Sequence, residues 1–130
     1  MPVPVSALTA AACALLLVAL SLRISFLRMT LKVSLGDAGQ PALLRAVRAH
    51  ANAAEHVPIF VLLALAYELT RGSDAVVIAT TGTFVAARLL HAAGMLGRGL
   101  HLARMAGAVL TNLAQAALAV ALPWALLGTR

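Results

Sequence analysis

Two long stretches without a charged residue constrain the fold of this chain most. Val3–Leu22 contains no charge, and neither does Met105–Thr129. About 20 apolar residues in a helix cross the roughly 30 Å of hydrocarbon in a bilayer, so each stretch is long enough to span a membrane. Because 62% of the 130 residues are hydrophobic and the mean hydropathy is +0.97, a water-soluble fold has too little polar surface to cover the chain.

Two further segments have shorter charge-free cores, Val57–Tyr67 and Ala75–Ala87, and neither crosses a bilayer without its polar neighbours. The sequence therefore predicts one domain over residues 1–130, an all-α integral membrane four-helix bundle. The predicted helices run at about 3–29, 41–70, 74–97 and 102–127. Gly94 and the glycines after it are expected to loosen the end of the third helix, whereas Gly107 lies among small residues spaced by four, a pattern that favours close helix packing. His101 is expected to be solvated in the last connection.

The distribution of charge predicts an orientation. Residues 23–48 contain five basic residues and one acid, residues 98–104 two basic residues, and residues 68–74 two acids and one arginine. By the positive-inside rule the first and third connections are cytoplasmic and both termini lie on the far side. The first span has no basic segment before it, so we expect it to be retained as a helix and not removed as a signal. A multi-pass protein of a bacterial inner membrane is expected. Nucleic-acid binding is not, because the basic residues are scattered.

Polar residues form a stripe on the second helix. At about 100° per residue, Arg45, Arg48, Asn52, Glu55 and His56 share one face about 100° wide. On the third helix a face contains polar and large residues at spacings of three and four; these are Phe84, Arg88, His91, Met95 and Arg98. Two such faces at similar depth are expected to meet.

Two interpretations of these faces stay open from the residues alone. In the first, the stripe is structural: Glu55 neutralises Arg48 or Arg88, and Asn52 bridges helices. In the second, the arginines outnumber the single acid because an anionic ligand arrives from outside, and guanidinium groups are well suited to carboxylates. Four histidines lack ligand spacing with a carboxylate, so no metal is expected. Glu68 and Arg71 are expected to cap and pair at a helix end.

The two faces also resemble a known family. The run from Arg45 to Pro58 (RAVRAHANAAEHVP) and the run from Arg88 to Arg98 (RLLHAAGMLGR), with Arg104 following, are similar to the membrane-associated proteins in eicosanoid and glutathione metabolism, the MAPEG family. The likeness is greatest to its microsomal prostaglandin E synthases. It implies a homotrimer with glutathione as co-substrate, bound between neighbouring subunits near the cytoplasmic side.

By the resemblance, Arg104 stabilises the glutathione thiolate as the catalytic residue. Other positions would bind the tripeptide; these are Arg48, Asn52, Glu55, His56, Arg88 and His91, with Arg23 or Arg28 as a further carboxylate contact from the first helix. Within this set Glu55 would take the amino group and the arginines the carboxylates. His56 stands where relatives have tyrosine.

The implied activity is that of a glutathione-dependent transferase or peroxidase acting on lipophilic electrophiles delivered from the membrane lipid. An arginine beside the thiol favours the thiolate, so no separate proton acceptor is strictly needed. The alternative is a non-catalytic trimer that binds a lipid or a protein partner. By the resemblance, several relatives have tyrosines on the face of the third helix where this chain has His91 and Met95, and Met95 cannot donate a hydrogen bond. A transporter is disfavoured because the first and fourth helices offer no polar path.

Overall fold

A computed structural model describes residues 2–97 and 100–128 as four helices. They are α1, Pro4–Leu31; α2, Pro41–Arg71; α3, Ala75–Leu96; and α4, His101–Leu127. All four are long and apolar enough to cross a membrane. The predicted all-α four-helix architecture is confirmed, and the helix ends lie within two residues of the predicted ones. His101, predicted in the last connection, is instead the first residue of α4, where it is exposed.

Local sequence explains where α2 and α3 begin. Pro41 is the first residue of α2, a position at which a missing backbone N–H costs nothing. Asp74 caps α3, since its Oδ1 accepts hydrogen bonds from the backbone N–H groups of Val76 and Val77 at 2.9 and 3.1 Å. The residues at the ends of the α1–α2 and α2–α3 connections therefore determine where the next helix begins.

The first helix is capped by a side chain from another helix. Glu68, near the end of α2, accepts hydrogen bonds from the backbone N–H groups of Val5 and Ser6 at 3.0 and 2.8 Å. The hydroxyls of Ser6 and Ser73 also donate to this buried carboxylate. The prediction that Glu68 pairs with Arg71 was wrong: the carboxylate instead satisfies the free N–H groups at the start of α1, which has no side-chain cap of its own.

The bundle is antiparallel and asymmetric. Within the described residues α1 packs on α2 and α3, α4 packs on α3 and α2, and α1 does not contact α4. The rings of Phe60 and Phe84 stack between α2 and α3 with their centroids 3.7 Å apart. Near one end of the bundle, Ala49 and Ala53 of α2 pack around Leu20 of α1. The start of α2, the end of α3 and the start of α4 lie together at that end.

The contact between α3 and α4 is close because glycines remove side chains from it. A Cβ atom on Gly107 would lie 2.5 Å from the backbone nitrogen of His91, and one on Gly94 would overlap the backbone of Arg104. The predicted role of Gly107 in close packing is confirmed. Gly94 does not loosen the end of α3 as predicted, because it is buried inside the helix and lets α4 approach.

Candidate functional site

A cavity of about 400 Å³ opens between α2, α3 and α4 at the end of the bundle predicted to be cytoplasmic. Its lining consists of Leu44, Arg45, Arg48, Asn52, His91, Met95 and Arg104. Three of these residues are arginines. None of the described residues that line the cavity is acidic. Its volume is within the range of roughly 300–1,000 Å³ that is usual for small-molecule sites. The two polar faces predicted to meet do meet here.

Arg88 lies behind this cavity and is almost fully buried, with 1% of its surface exposed. Its Nη2 donates to Oδ1 of Asn52 at 2.8 Å, and its Nη1 donates to Oγ1 of Thr111 at 3.3 Å. Its Nε has no hydrogen-bond partner among the described residues. Both partners are neutral, so the buried positive charge has no hydrogen-bonded counter-ion among the residues that the structure describes, although a buried charge ordinarily requires one.

His91 connects α3 to the start of α4. Its Nδ1 lies 3.1 Å from the backbone oxygen of Arg104, and the side chain is 7% exposed. His91 and Arg104 both line the cavity. The close approach at Gly94 and Gly107 holds these two helices at the distance that this hydrogen bond requires. His91 and Arg104, both predicted as site residues, therefore meet in one place.

Three charged side chains near the mouth of the cavity are accessible to a neighbouring molecule. Arg48, Glu55 and Arg104 are all exposed in the single chain. Glu55 does not line the cavity, and the described residues include no hydrogen bond or ion pair made by its carboxylate. The part of the structural interpretation in which Glu55 neutralises Arg48 or Arg88 is therefore not what a single chain adopts. The other part is confirmed, because Asn52 bridges α2 and α3 by accepting the hydrogen bond from Arg88.

Three further predicted positions lie outside the cavity lining or outside the described residues. Nδ1 of His56 lies 3.2 Å from Oε1 of Gln115 on α4, about one helical turn further into the bilayer than Asn52. Arg28 donates to the carbonyl of Val33 at 3.5 Å and lines a separate depression after α1. Arg98, predicted on the polar face of α3, lies outside the described residues.

Gln115 was missed by the sequence reasoning, and a signal for it existed. Arg104, Thr111 and Gln115 are spaced by seven and four along α4, which places them on one helical face. Two of them meet a polar side chain: Thr111 meets Arg88, and Gln115 meets His56. The backbone carbonyl of Arg104 meets His91. Polar contacts therefore extend from the cavity to about mid-bundle along three helices.

Four membrane-length helices and a basic cavity at one end define a multi-pass membrane protein with a polar site inside the bundle. The model of the MAPEG family matches residues 6–124, and the chain belongs to that family. The predicted family membership is confirmed. The chain is also similar to inner membrane protein YecN of Escherichia coli K12, with 40% identity over 88 residues, 67% of this chain and 66% of that protein. YecN of Escherichia coli O6:H1 matches to the same extent. The chain thus spans about two thirds of the length of the curated relatives that it matches.

Proposed function

We propose that this protein is a glutathione-dependent transferase or peroxidase of a bacterial inner membrane that acts on lipophilic electrophiles. The observation that supports it is the cavity with three arginines and no acidic lining residue among those described. Glutathione brings two carboxylates to such a site, and guanidinium groups bind carboxylates with two parallel hydrogen bonds. The proposed inner-membrane location is supported by four apolar spans and by the similarity to YecN, itself named as an inner membrane protein.

The site is proposed to be completed by neighbouring copies in a homotrimer. Arg48, Glu55 and Arg104 are exposed on the single chain, and charged side chains within a membrane helix bundle face protein or water and not lipid. A neighbouring subunit that covers this surface would close the open side of the cavity. Glu55 would then be positioned to bind the amino group of glutathione while the arginines bind its carboxylates.

Arg104 is proposed to stabilise the reactive sulfur. Only the thiolate form of a thiol is a strong nucleophile, and a nearby fixed positive charge favours that form. Arg104 lines the cavity from the first turn of α4, and its backbone is fixed by His91. The thiolate would attack an electrophilic carbon, or the oxygen of a hydroperoxide, on a substrate entering from the bilayer.

The test is glutathione turnover by the purified full chain in detergent, with an aromatic halide and a lipid hydroperoxide as substrates. Arg104→Ala is expected to slow turnover by about 10²–10³-fold, the usual effect of losing one fixed donor to a developing anion. Arg71→Ala is the matched control, because Arg71 is an exposed arginine at the opposite end of the bundle. Equal rates for the wild type and both variants would remove the catalytic assignment.

Binding is measured separately from turnover. Calorimetry of glutathione binding is expected to show a loss of about tenfold or more in Arg48→Ala and in Glu55→Ala, since each removes a charge-assisted hydrogen bond. Arg71→Ala is expected to bind as the wild type does. The trimer is measured by the mass of the detergent-solubilised assembly, and a monomer that binds glutathione with full affinity would contradict the shared site.

A second candidate is a non-catalytic trimer that binds a lipid or a protein partner. Met95 lines the cavity where relatives have tyrosine and supplies no hydrogen-bond donor. A groove of about 450 Å³ between α1 and α3, lined mainly by apolar side chains such as Leu8, Val85 and Leu89, offers a surface for an acyl chain. The calorimetric measurement distinguishes the two candidates, because a pure lipid binder would show no heat of glutathione binding.

A further inference from the structure

We infer that His91 is the proton acceptor of the site: the backbone carbonyl of Arg104 fixes the imidazole tautomer, so that Nε2 takes the proton from a thiol bound in the cavity. This inference rests on the proposed function, because it assigns the destination of the proton that glutathione must lose. It adds a second catalytic group to a site in which Arg104 alone was expected to act.

The tautomer follows from the hydrogen bond. A backbone carbonyl can only accept, so the contact of 3.1 Å between Nδ1 of His91 and the Arg104 oxygen requires the hydrogen to be on Nδ1. In the neutral ring the other nitrogen then has a free lone pair. The same arrangement, a histidine oriented through one nitrogen and accepting through the other, is used by many general bases.

The surroundings of the ring favour the neutral form before the thiol arrives. Arg48 and Arg104 line the cavity with His91, and the buried guanidinium of Arg88 lies one turn earlier on the same face of α3. A further positive charge among these three cations is electrostatically unfavourable. Nε2 makes no hydrogen bond to any described residue and is not among the fully buried side-chain atoms that lack a partner. Because His91 belongs to the lining of the cavity, this lone pair is available to a ligand.

The proton transfer is balanced within the site. The S–H bond breaks, the proton forms a bond to Nε2, and the electron pair stays on sulfur as a thiolate beside the Arg104 guanidinium. The positive charge that appears on His91 is accompanied by the negative charge on sulfur, so the net charge of the site does not change. When the thiolate adds to an unsaturated carbonyl or opens an epoxide, an S–C bond forms and the displaced electron pair ends on oxygen. The imidazolium then returns its proton to that oxygen, and no oxidation or reduction occurs.

One residue positions both groups. Arg104 holds the imidazole through its carbonyl and itself lines the cavity, so the proton acceptor and the residue that stabilises the thiolate depend on one backbone position. The contact at Gly94 leaves no space for this backbone to shift toward α3. The relative placement of the two groups is therefore fixed by helix packing and does not depend on a flexible loop.

The test compares the full-length wild type in detergent with His91→Gln, His91→Asn and the control His101→Gln. His101 is exposed at the start of α4 and does not line the cavity. Calorimetry measures glutathione affinity, and stopped-flow ultraviolet absorbance measures thiolate formation. Both His91 variants are expected to weaken binding by no more than about tenfold, the contribution of one neutral hydrogen bond. Both are expected to slow thiolate formation by about 10²–10⁴-fold, the usual contribution of a general base.

The asparagine variant separates a chemical role from a structural one. Its amide nitrogen occupies the place of Nδ1 and can donate to the Arg104 carbonyl, but it cannot accept a proton. A thiolate rate in His91→Asn equal to that of the wild type would overturn the inference and leave the proposed function intact. Absence of glutathione binding to the wild type would overturn both.

A measurement on the wild type alone covers the case in which the variants do not fold. Calorimetry of glutathione binding in buffers of different ionisation enthalpy reports the protons released to the buffer. If His91 keeps the thiol proton, thiolate forms without net proton release. Release of a full proton for each thiolate formed would overturn the inference.

Discussion

Adding one methyl group at Gly107 is expected to separate α3 from α4 and so to disturb the cavity lined by His91 and Arg104. In Gly107→Ala the new Cβ would lie 2.5 Å from the backbone nitrogen of His91 and 2.7 Å from the carbonyl oxygen of Ala87. Both neighbours are backbone atoms of a helix, so neither can rotate away. The helices themselves must move.

The size of the effect follows from these distances. Non-bonded heavy atoms require about 3.5 Å, so the two helices must separate by about 1 Å at this point. The same movement would lengthen the hydrogen bond of 3.1 Å between His91 and the Arg104 carbonyl beyond a useful range. Overpacking costs about 1–3 kcal/mol and a lost hydrogen bond about 0.5–1.5 kcal/mol. We therefore expect the contact at Gly107 to lower the free energy of unfolding of Gly107→Ala by about 1.5–4.5 kcal/mol, relative to a glycine-to-alanine variant whose new methyl group meets no neighbour.

Gly82→Ala is the matched control, because Gly82 is also inside a helix and an added Cβ there would contact nothing within 4 Å. Both variants gain the same helix propensity, about 1 kcal/mol for alanine over glycine, so the difference between them isolates the contact at Gly107. Reversible unfolding in mixed detergent, followed by circular dichroism, gives the two free energies. If Gly107→Ala is as stable as Gly82→Ala, the close packing of α3 on α4 is not what stabilises this end of the bundle.

Two further predictions use the same unfolding assay. Glu68→Ala is expected to lower the free energy of unfolding by about 1–3 kcal/mol, because the N–H groups of Val5 and Ser6 lose their acceptor. Glu68→Gln keeps one acceptor oxygen and should lower it by less. Equal losses in the two variants would contradict the capping role. Asn52→Ala is expected to lower the free energy of unfolding by about 1–3 kcal/mol, because Nη2 of Arg88 is left unpaired. The control Asn112→Ala changes an exposed position on α4 and should alter this free energy by less than about 0.5 kcal/mol. Equal stabilities of Asn52→Ala and Asn112→Ala would show that Asn52 does not stabilise the buried charge.

The helices were predictable because a membrane span requires a certain length of sequence with few charges, and both properties can be read from the residues. A segment without charges and about 20 residues long has few alternatives to a membrane helix, and prolines and glycines mark the connections. The spacing of three and four also identified side chains that share a face, which is why Arg48 and Asn52 were grouped on α2 and His91 on a face of α3 expected to meet it. Arg104, which lines the same cavity, was placed with them only by the family resemblance.

Contacts between helices were less predictable because periodicity fixes the direction of a side chain around its own helix and not the neighbour that it meets. The buried face of α2 includes Ala46, Ala49, Ala53 and Phe60. On a helical wheel it is rotated by about 100° from the centre of the polar stripe. The stripe therefore lies at the edge of the buried face, with Asn52 partly inside and Glu55 outside. The capping of α1 by Glu68 depends on how far α1 and α2 are shifted along their axes relative to each other, and no local sequence pattern predicts that shift.

The exposed edge of the stripe supports the proposal that neighbouring chains complete the site. Glu55 lies at the middle of α2, where a charged side chain facing lipid costs about 2.5–3.5 kcal/mol on insertion scales. On the helical wheel Arg48 lies within about 20° of Glu55, and Arg48 forms part of the open side of the cavity. A partner that covers Glu55 therefore covers the mouth of the cavity as well. In the proposed trimer, burial of these charges and closure of the site would be one event, and the free energy gained by removing charge from lipid would contribute to holding the ligand site closed.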